Sequence, residues 1–226
     1  AGPVTWGELD RRADALAAAL AAMPGVETVA IMCRNHRGLV ESIAAVSRLG
    51  ADSVLLNTGF AAPQLADVLA REQADVLIAD DEFDALLGPA VERLPGLRVV
   101  RAWVEDPAAD AAGKESLDGL IEAHWGHRPR RPAKAGRIVL LTSGTTGTPK
   151  GARRGGSTDV SSLAAMFERI PWHAGESTVI AAPIFHAWGF GQMAISSTMT
   201  CTMIMARRFD PQGTLDLVRK HSATGL

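Results

Sequence analysis

The feature that most limits the possible folds is a regular alternation of short apolar runs and amphipathic segments. The runs predict strands, and the periodicity between them predicts helices, with strands at residues 29–33, 53–56, 75–79 and 99–104 and helices at residues 39–49 and 63–71. Gly50 closes the first of these helices and Pro63 opens the second. Because strands separated by helices form parallel βαβ units, we predict an α/β fold, a parallel-sheet sandwich with helices on both faces.

A second feature carries chemistry: a strand predicted at residues 137–141 runs directly into a loop of glycines and hydroxyl residues that holds Lys150. Glycines let the backbone turn tightly and present N–H groups to an anion, while hydroxyls and the lysine add donors and charge. The alternative is an ordinary turn between strands. The loop is not a Walker loop, because Pro149 precedes the lysine and Gly151 follows it. A G-x-G-x-x-G loop is excluded too, because no glycine stands two residues after Gly144.

Residues 142–151 read T-S-G-T-T-G-T-P-K-G and resemble the signature loop of the adenylate-forming superfamily at every fixed position. That superfamily contains acyl-CoA synthetases, aryl-CoA ligases, luciferases and the adenylation domains of peptide synthetases. The resemblance implies a set of residues that hold the phosphates of ATP: Thr142, Ser143, Gly144, Thr145, Thr146, Gly147 and Lys150. It also implies Mg²⁺ and coenzyme A as cofactors and a catalytic role for Lys150, whereas no metal-ligating residue is assigned.

A second matching segment lies at residues 179–190, where P-I-F-H-A-W-G-F resembles the superfamily's P-[LIM]-F-H-x-x-G-[LF] pattern. The resemblance implies that His186 lies beside the acyl substrate and the reacting phosphate, in a catalytic and substrate-binding role. Trp188 and Phe190 are the accompanying candidates for lining an acyl channel. Outside this pattern, a histidine and aromatic residues on an apolar stretch would be interpreted as core residues.

The start of the chain is consistent with the same superfamily. Thr5 is expected to cap a helix, with Glu8 three residues on, and residues 5–20 resemble the opening of these enzymes. Residues 34–37 and 49–57 are similar to the fatty-acyl-CoA synthetases among them. The implied reaction joins a fatty acid and ATP into acyl-adenylate and pyrophosphate, followed by acyl-CoA and AMP. Alternatives are an aryl-CoA ligase, an acyl-AMP ligase, a peptide-synthetase adenylation domain or a non-catalytic nucleotide-binding remnant.

Two later features of the superfamily are not found after Phe190: the motif whose aspartate binds ribose, and the C-terminal lysine of the adenylation step. We therefore expect residues 1–226 to be a partial N-terminal domain without the C-terminal lid domain, and to be inactive alone. Its expected partner is the missing C-terminal remainder of the same protein. Within the domain we expect a first α/β lobe at 1–125, a linker at 126–136 and a phosphate-loop lobe at 137–226.

Charge and composition exclude several other functions. The formal net charge is −2, and the basic residues within 127–136 have no interleaved aromatic residues, so nucleic-acid binding is not indicated. No apolar run reaches the 18 residues that a membrane-spanning helix needs. Cys33 and Cys201 both lie in apolar surroundings, which favours buried thiols in a reducing, cytoplasmic environment.

Overall fold

The computed structural model describes residues 2–105, 115–142, 150–154, 170 and 172–226, with only the backbone described at Thr142 and residues 150–154. The chain divides into two compact units, Ala1–Arg153 and Arg154–Leu226. This division lies later than the expected linker at 126–136. The physical reason is that the strand after the linker is hydrogen-bonded into the sheet of the first unit, with Ser53 opposite Ile138.

The first unit contains a six-stranded sheet. Its strands are β1 (Thr28–Met32), β2 (Asp52–Leu55), β3 (Val76–Asp80), β4 (Arg98–Trp103), β5 (Ile138–Thr142) and β6 (Lys150–Arg154), the last ending at the unit boundary. Its helices are α1 (Trp6–Ala22), α2 (Arg37–Leu49), α3 (Ala62–Arg71), α4 (Gly88–Arg93) and α5 (Leu117–Ala123), and a 3₁₀ helix covers Asp81–Leu86. The strand order is β4-β3-β1-β2-β5-β6, and the first five strands are parallel.

Helices cover both faces of this sheet, which confirms the predicted sandwich. On one face, buried Leu65 and Leu69 of α3 pack with alternate strand residues such as Ala30 and Val54. Helix α2 packs against β1, β2 and β4, and α1 packs against α2 and α5. Because neighbouring strand residues point to opposite faces, buried Ile31 lies on the face opposite Ala30. The predicted cap of α1 is confirmed as well, since Thr5 Oγ1 accepts the Glu8 N–H at 3.1 Å.

The second unit is built around a parallel pair of strands. Its elements are β7 (Ser177–Ile180), α6 (Ala187–Thr198), β8 (Thr202–Met205) and α7 (Pro211–His221). Helix α6 connects β7 to β8 and packs against both strands. On the other side of β7, Val179 N–H donates to Gly225 O at 2.9 Å. Strand β7 is therefore hydrogen-bonded along both edges.

Within the described residues, no helix is long and apolar enough to cross a membrane. Cys33 and Cys201 are both buried. The Cys33 thiol lies 3.7 Å from the Ile78 carbonyl oxygen and the Cys201 thiol lies 3.6 Å from the His173 carbonyl oxygen, each as a weak donor.

An ion pair joins the amino ends of β2 and β5. Arg137 Nε donates to Asp52 Oδ2 at 2.9 Å, and the Arg137 backbone N–H donates to Oδ1 at 2.7 Å. The side-chain hydrogen bond from Arg137 holds the pKa of Asp52 below its ordinary value. A lowered carboxyl pKa contributes stability that is present above the unfolded-state pKa and is lost as the pH falls through the folded-state pKa.

Replacing Arg137 with glutamine is therefore expected to lower the free energy of unfolding at neutral pH. The difference from the parent chain should shrink below about pH 4, where the unfolded-state carboxyl becomes protonated. Urea unfolding at a series of pH values measures this, with exposed Arg130→Gln as the charge-matched control. A loss of stability that stayed constant across the series would contradict the linkage.

Candidate active site

The lysine loop leaves the sheet of the first unit at its carboxyl edge. Strand β5 is held beside β2, with Val139 and Leu140 both buried, and it ends at Thr142. Lys150 is the first residue of β6, the neighbouring strand in the sheet. Five of the proposed phosphate-binding residues, Ser143, Gly144, Thr145, Thr146 and Gly147, lie outside the described residues. The backbone that enters the loop is thus fixed by a packed parallel strand, and the backbone that leaves it continues into the neighbouring strand of the same sheet.

The second motif forms a turn from β7 into α6. His186 is the residue that caps α6: its N–H donates to Pro183 O at 3.0 Å, and its carbonyl accepts the Phe190 N–H at 2.9 Å. The Phe185 ring is buried and lies 4.5 Å from the His186 ring, centroid to centroid. His186 itself is exposed, so the interpretation of a core histidine does not apply.

The two aromatic candidates on α6 differ in their surroundings. Trp188 has 68% of its surface exposed, and Phe190 is half-buried. Trp188 is therefore an apolar side chain on the surface of the second unit and not a core residue. These two aromatic groups provide apolar surface within the same motif as His186, which is the motif's only ionisable side chain.

Gly189 sets the shape of this turn. A Cβ atom added at this position would lie 2.6 Å from the Pro183 carbonyl carbon and 2.7 Å from the Ala182 carbonyl oxygen, which are backbone atoms. The glycine of the motif is thus required for the first turn of α6 to approach the segment that leaves β7. This close approach holds His186 at the start of the helix.

Gly189→Ala is expected to lower the free energy of unfolding by about 2–3 kcal/mol, because the backbone must shift to admit the methyl group. Thermal and urea unfolding measure the change. Gly191→Ala is the matched control, since a Cβ at that position of α6 meets nothing within 4 Å and alanine favours the helix. Equal behaviour of the two variants would contradict the close approach at Gly189.

Sequence reasoning missed Gln192, which connects α6 to β7. This side chain is 5% exposed, and its Nε2 donates to Thr178 Oγ1 at 3.1 Å and to Val179 O at 3.0 Å. A lone glutamine in an apolar segment gives no signal of this role. It stabilises the helix whose first turn presents His186.

The first unit contains a buried cluster that resembles a metal site at first sight. Cys33, His36 and Asp80 place a thiol, an imidazole and a carboxylate within 4.8 Å of one another. Both ring nitrogens of His36 already have hydrogen-bond partners. The Gly38 N–H donates to Nδ1 at 3.1 Å, so the ring proton is on Nε2, and Nε2 donates to Asp80 Oδ1 at 2.7 Å. Asp80 Oδ2 also accepts the Arg34 N–H at 3.0 Å. The cluster ties the carboxyl ends of β1 and β3 together without needing an ion.

Comparison with known proteins assigns the class. The family model of AMP-binding enzymes matches residues 2–226, so the chain belongs to the AMP-binding enzyme family. Among curated relatives, it is 30% identical over 227 residues to a feruloyl-CoA synthase of Amycolatopsis sp, covering 98% of this chain and 42% of that protein. It is 29% identical over 225 residues to a fatty acid–[acyl-carrier-protein] ligase of Streptomyces coeruleorubidus, covering 96% of this chain and 41% of that protein.

Solved structures support the same fold. The o-succinylbenzoate CoA synthetase of Bacillus subtilis, in complex with its acyl-adenylate intermediate, superposes with a TM-score of 0.76 at 24% identity. The match covers 98% of this chain and 55% of that one. The chain spans about two fifths of the length of the curated relatives that it matches.

Proposed function

We propose that this chain is the N-terminal part of an acid–CoA ligase that activates a carboxylic acid with MgATP. The observation that carries the proposal is the ten-residue loop at 142–151, which follows β5 at the carboxyl edge of a parallel sheet. Membership in the AMP-binding family supports it, because that family's model matches nearly the whole chain. The 42% coverage of a related CoA synthase supports the view that further chain is needed for turnover.

The chemistry requires a better leaving group than hydroxide. The carboxylate oxygen attacks the α-phosphorus of ATP, a new phosphorus–oxygen bond forms, and pyrophosphate leaves with the electrons of the bond that breaks. The thiol of coenzyme A then attacks the acyl carbon of the adenylate, and AMP leaves. Reactions of this kind depend on positioning and on neutralising phosphate charge.

The residues divide this work between them. The loop hydroxyls, the backbone N–H groups and Lys150 would hold the β- and γ-phosphates and release them as pyrophosphate. His186, exposed at the N-terminus of α6, would orient the carboxylate of the acid, and the partial positive charge of the helix end favours the same anion. Trp188 and Phe190 would contact the apolar part of the acid.

A fatty acid is our first candidate for the acid, and an aryl acid is the second. The fatty-acid assignment depends on the resemblance at residues 34–37 and 49–57. The structure gives two residues of the first segment packing roles: Arg34 pairs with Glu82 and His36 with Asp80. Exposed Trp188 suits either class of apolar tail. We place the reaction in the reducing cytosol, which is supported by two buried thiols, Cys33 and Cys201.

Two measurements on the chain test the proposal. Calorimetric titration with MgATP should give saturable 1:1 binding, and pyrophosphate should compete for it. ATP–pyrophosphate exchange with short, long and aromatic acids should show no turnover by this chain alone. Absence of MgATP binding by the folded chain would overturn the proposed nucleotide site. ATP–pyrophosphate exchange with any acid would overturn the proposed need for further chain, and the acid that supports it would identify the substrate class.

A further inference from the structure

A cleft of about 370 Å³ opens at the carboxyl edge of the first sheet, away from β5 and β6. It lies where the end of β4 meets the first residues of α2, and Arg37, Gly38, Arg101 and Asp118 are among its lining residues. Helix α2 and β4 approach closely there, since a Cβ added at Gly38 would lie 3.1 Å from the Ala102 carbonyl oxygen. None of these residues belongs to the two motifs of the candidate active site.

The cleft holds a surplus of buried hydrogen-bond donors. Arg101 is 8% exposed, and its Nη2 lies 2.7 Å from Asp84 Oδ1. Its Nε and Nη1 are buried and have no hydrogen-bond partner among the described residues. The Nε of Arg37, in contrast, forms an ion pair with Glu41 Oε1 at 3.0 Å. Because a buried donor without an acceptor is unfavourable, this arrangement favours a ligand rich in acceptors.

The charges around the cleft decide what kind of acceptor fits. Glu41 is fully buried, and its carboxylate pairs with both Arg12 and Arg37. Among the described residues that line the cleft, Asp118 is the exposed carboxylate: it is 68% exposed and pairs with the same two arginines. Helix α2 also directs the positive end of its dipole into the cleft, beginning at Arg37. Two guanidinium groups at a helix N-terminus offer paired N–H donors that match the several oxygens of a small oxyanion such as phosphate.

We propose that this cleft is a second anion site, which binds one phosphate-sized oxyanion between Arg37 and Arg101 at the N-terminus of α2. The anion would accept from the buried nitrogens of Arg101 and would compete with Asp118 for Arg37. This site is separate from the lysine loop and does not depend on the function proposed above. It gives the buried Arg101 nitrogens the acceptors that the described residues do not supply.

Titration of the chain with inorganic phosphate, at constant ionic strength maintained with sodium chloride, tests the site by calorimetry. We expect saturable 1:1 binding that weakens at least tenfold in Arg101→Met. Arg98→Met is the matched control on the same strand, because Arg98 is exposed and lies outside the cleft. Lys150→Ala distinguishes this site from the lysine loop, and phosphate binding should be unchanged in that variant. If Lys150→Ala lost phosphate binding while Arg101→Met bound phosphate normally, the proposal would be overturned.

Asp118→Asn provides a second, independent variant if Arg101→Met does not fold. Since Asp118 is mostly exposed, the variant should keep the native circular dichroism spectrum and thermal stability. We expect it to bind phosphate about threefold to tenfold more tightly, because Arg12 and Arg37 lose a competing carboxylate. Unchanged or weaker affinity in Asp118→Asn, or no saturable phosphate binding by the parent chain, would overturn the proposal.

Discussion

Lys150→Ala is expected to weaken MgATP binding by about ten- to a hundredfold. The lysine supplies one compact positive charge with three donors, and a charge-assisted contact of this kind contributes about 1.5–3 kcal/mol. Since 1.4 kcal/mol corresponds to a factor of ten, the loss falls in that range. Calorimetric titration of MgATP into the folded variant measures it. Lys150 begins β6, which lies beside β5 at the end of the strand order and does not neighbour any of β1 to β4.

Lys134→Ala is the control for this prediction. Lys134 is exposed and lines a cavity at the opposite, amino edge of the same sheet, together with Asp52 and Arg137. It has the same charge as Lys150 and changes the net charge of the chain equally. MgATP binding should therefore be unaffected in Lys134→Ala. Equal weakening in both variants would indicate a general charge effect and contradict the assignment of Lys150.

Asp80→Ala is expected to lower the free energy of unfolding by about 2–6 kcal/mol. Asp80 is fully buried and accepts from His36 Nε2 at 2.7 Å and from the Arg34 N–H at 3.0 Å. Alanine leaves both donors without this acceptor, at a cost of about 1–3 kcal/mol for each. Urea unfolding followed by circular dichroism measures the loss, and near-ultraviolet spectra report on Trp103, whose ring lies 5.4 Å from the His36 ring.

Asp67→Ala provides the comparison for Asp80. Asp67 forms an ion pair with Arg93, and the two side chains are 59% and 54% exposed. Pairs of this kind contribute at most about 1 kcal/mol, because water and salt screen them. A similar loss of stability in the two aspartate variants would show that burial and the His36 contact are not what make Asp80 important.

The strands of the first unit could be predicted closely from sequence. Each predicted strand has the observed length and is shifted by one position from the observed strand. The predicted ranges 29–33, 53–56, 75–79 and 99–104 correspond to β1, β2, β3 and β4 in that order. The reason is clearest for β1 and β3, which are buried on both faces and almost wholly apolar, and this leaves a simple pattern in the sequence. Helix α2 begins earlier than predicted, at Arg37, because His36 caps it with an imidazole nitrogen. Histidine is not among the residues that usually signal a helix start.

Other features could not be read from the sequence. Helices α5 and α7 were not predicted, since α5 has only seven residues and α7 buries only Thr214. The contacts of Asp80 and Glu41 depend on partners 44 and 29 residues away, which no local pattern reveals. The glycine-rich loop and the His186 segment were recognisable because their chemistry depends on neighbouring residues, and their roles remain predictions.

The strand order of the first sheet has a consequence for how the chain is made. Strand β1 is synthesised first and lies in the middle of the block β4-β3-β1-β2, all of which is complete once Trp103 has been added. Once these residues have emerged from the ribosome, the four strands can pair around β1 before the rest of the chain has been made. Until Ile138–Thr142 emerges, the outer edge of β2 offers unpaired N–H and C=O groups to any extended peptide. A nascent chain held in this interval therefore exposes an unpaired strand edge, which is the kind of surface that promotes aggregation during folding.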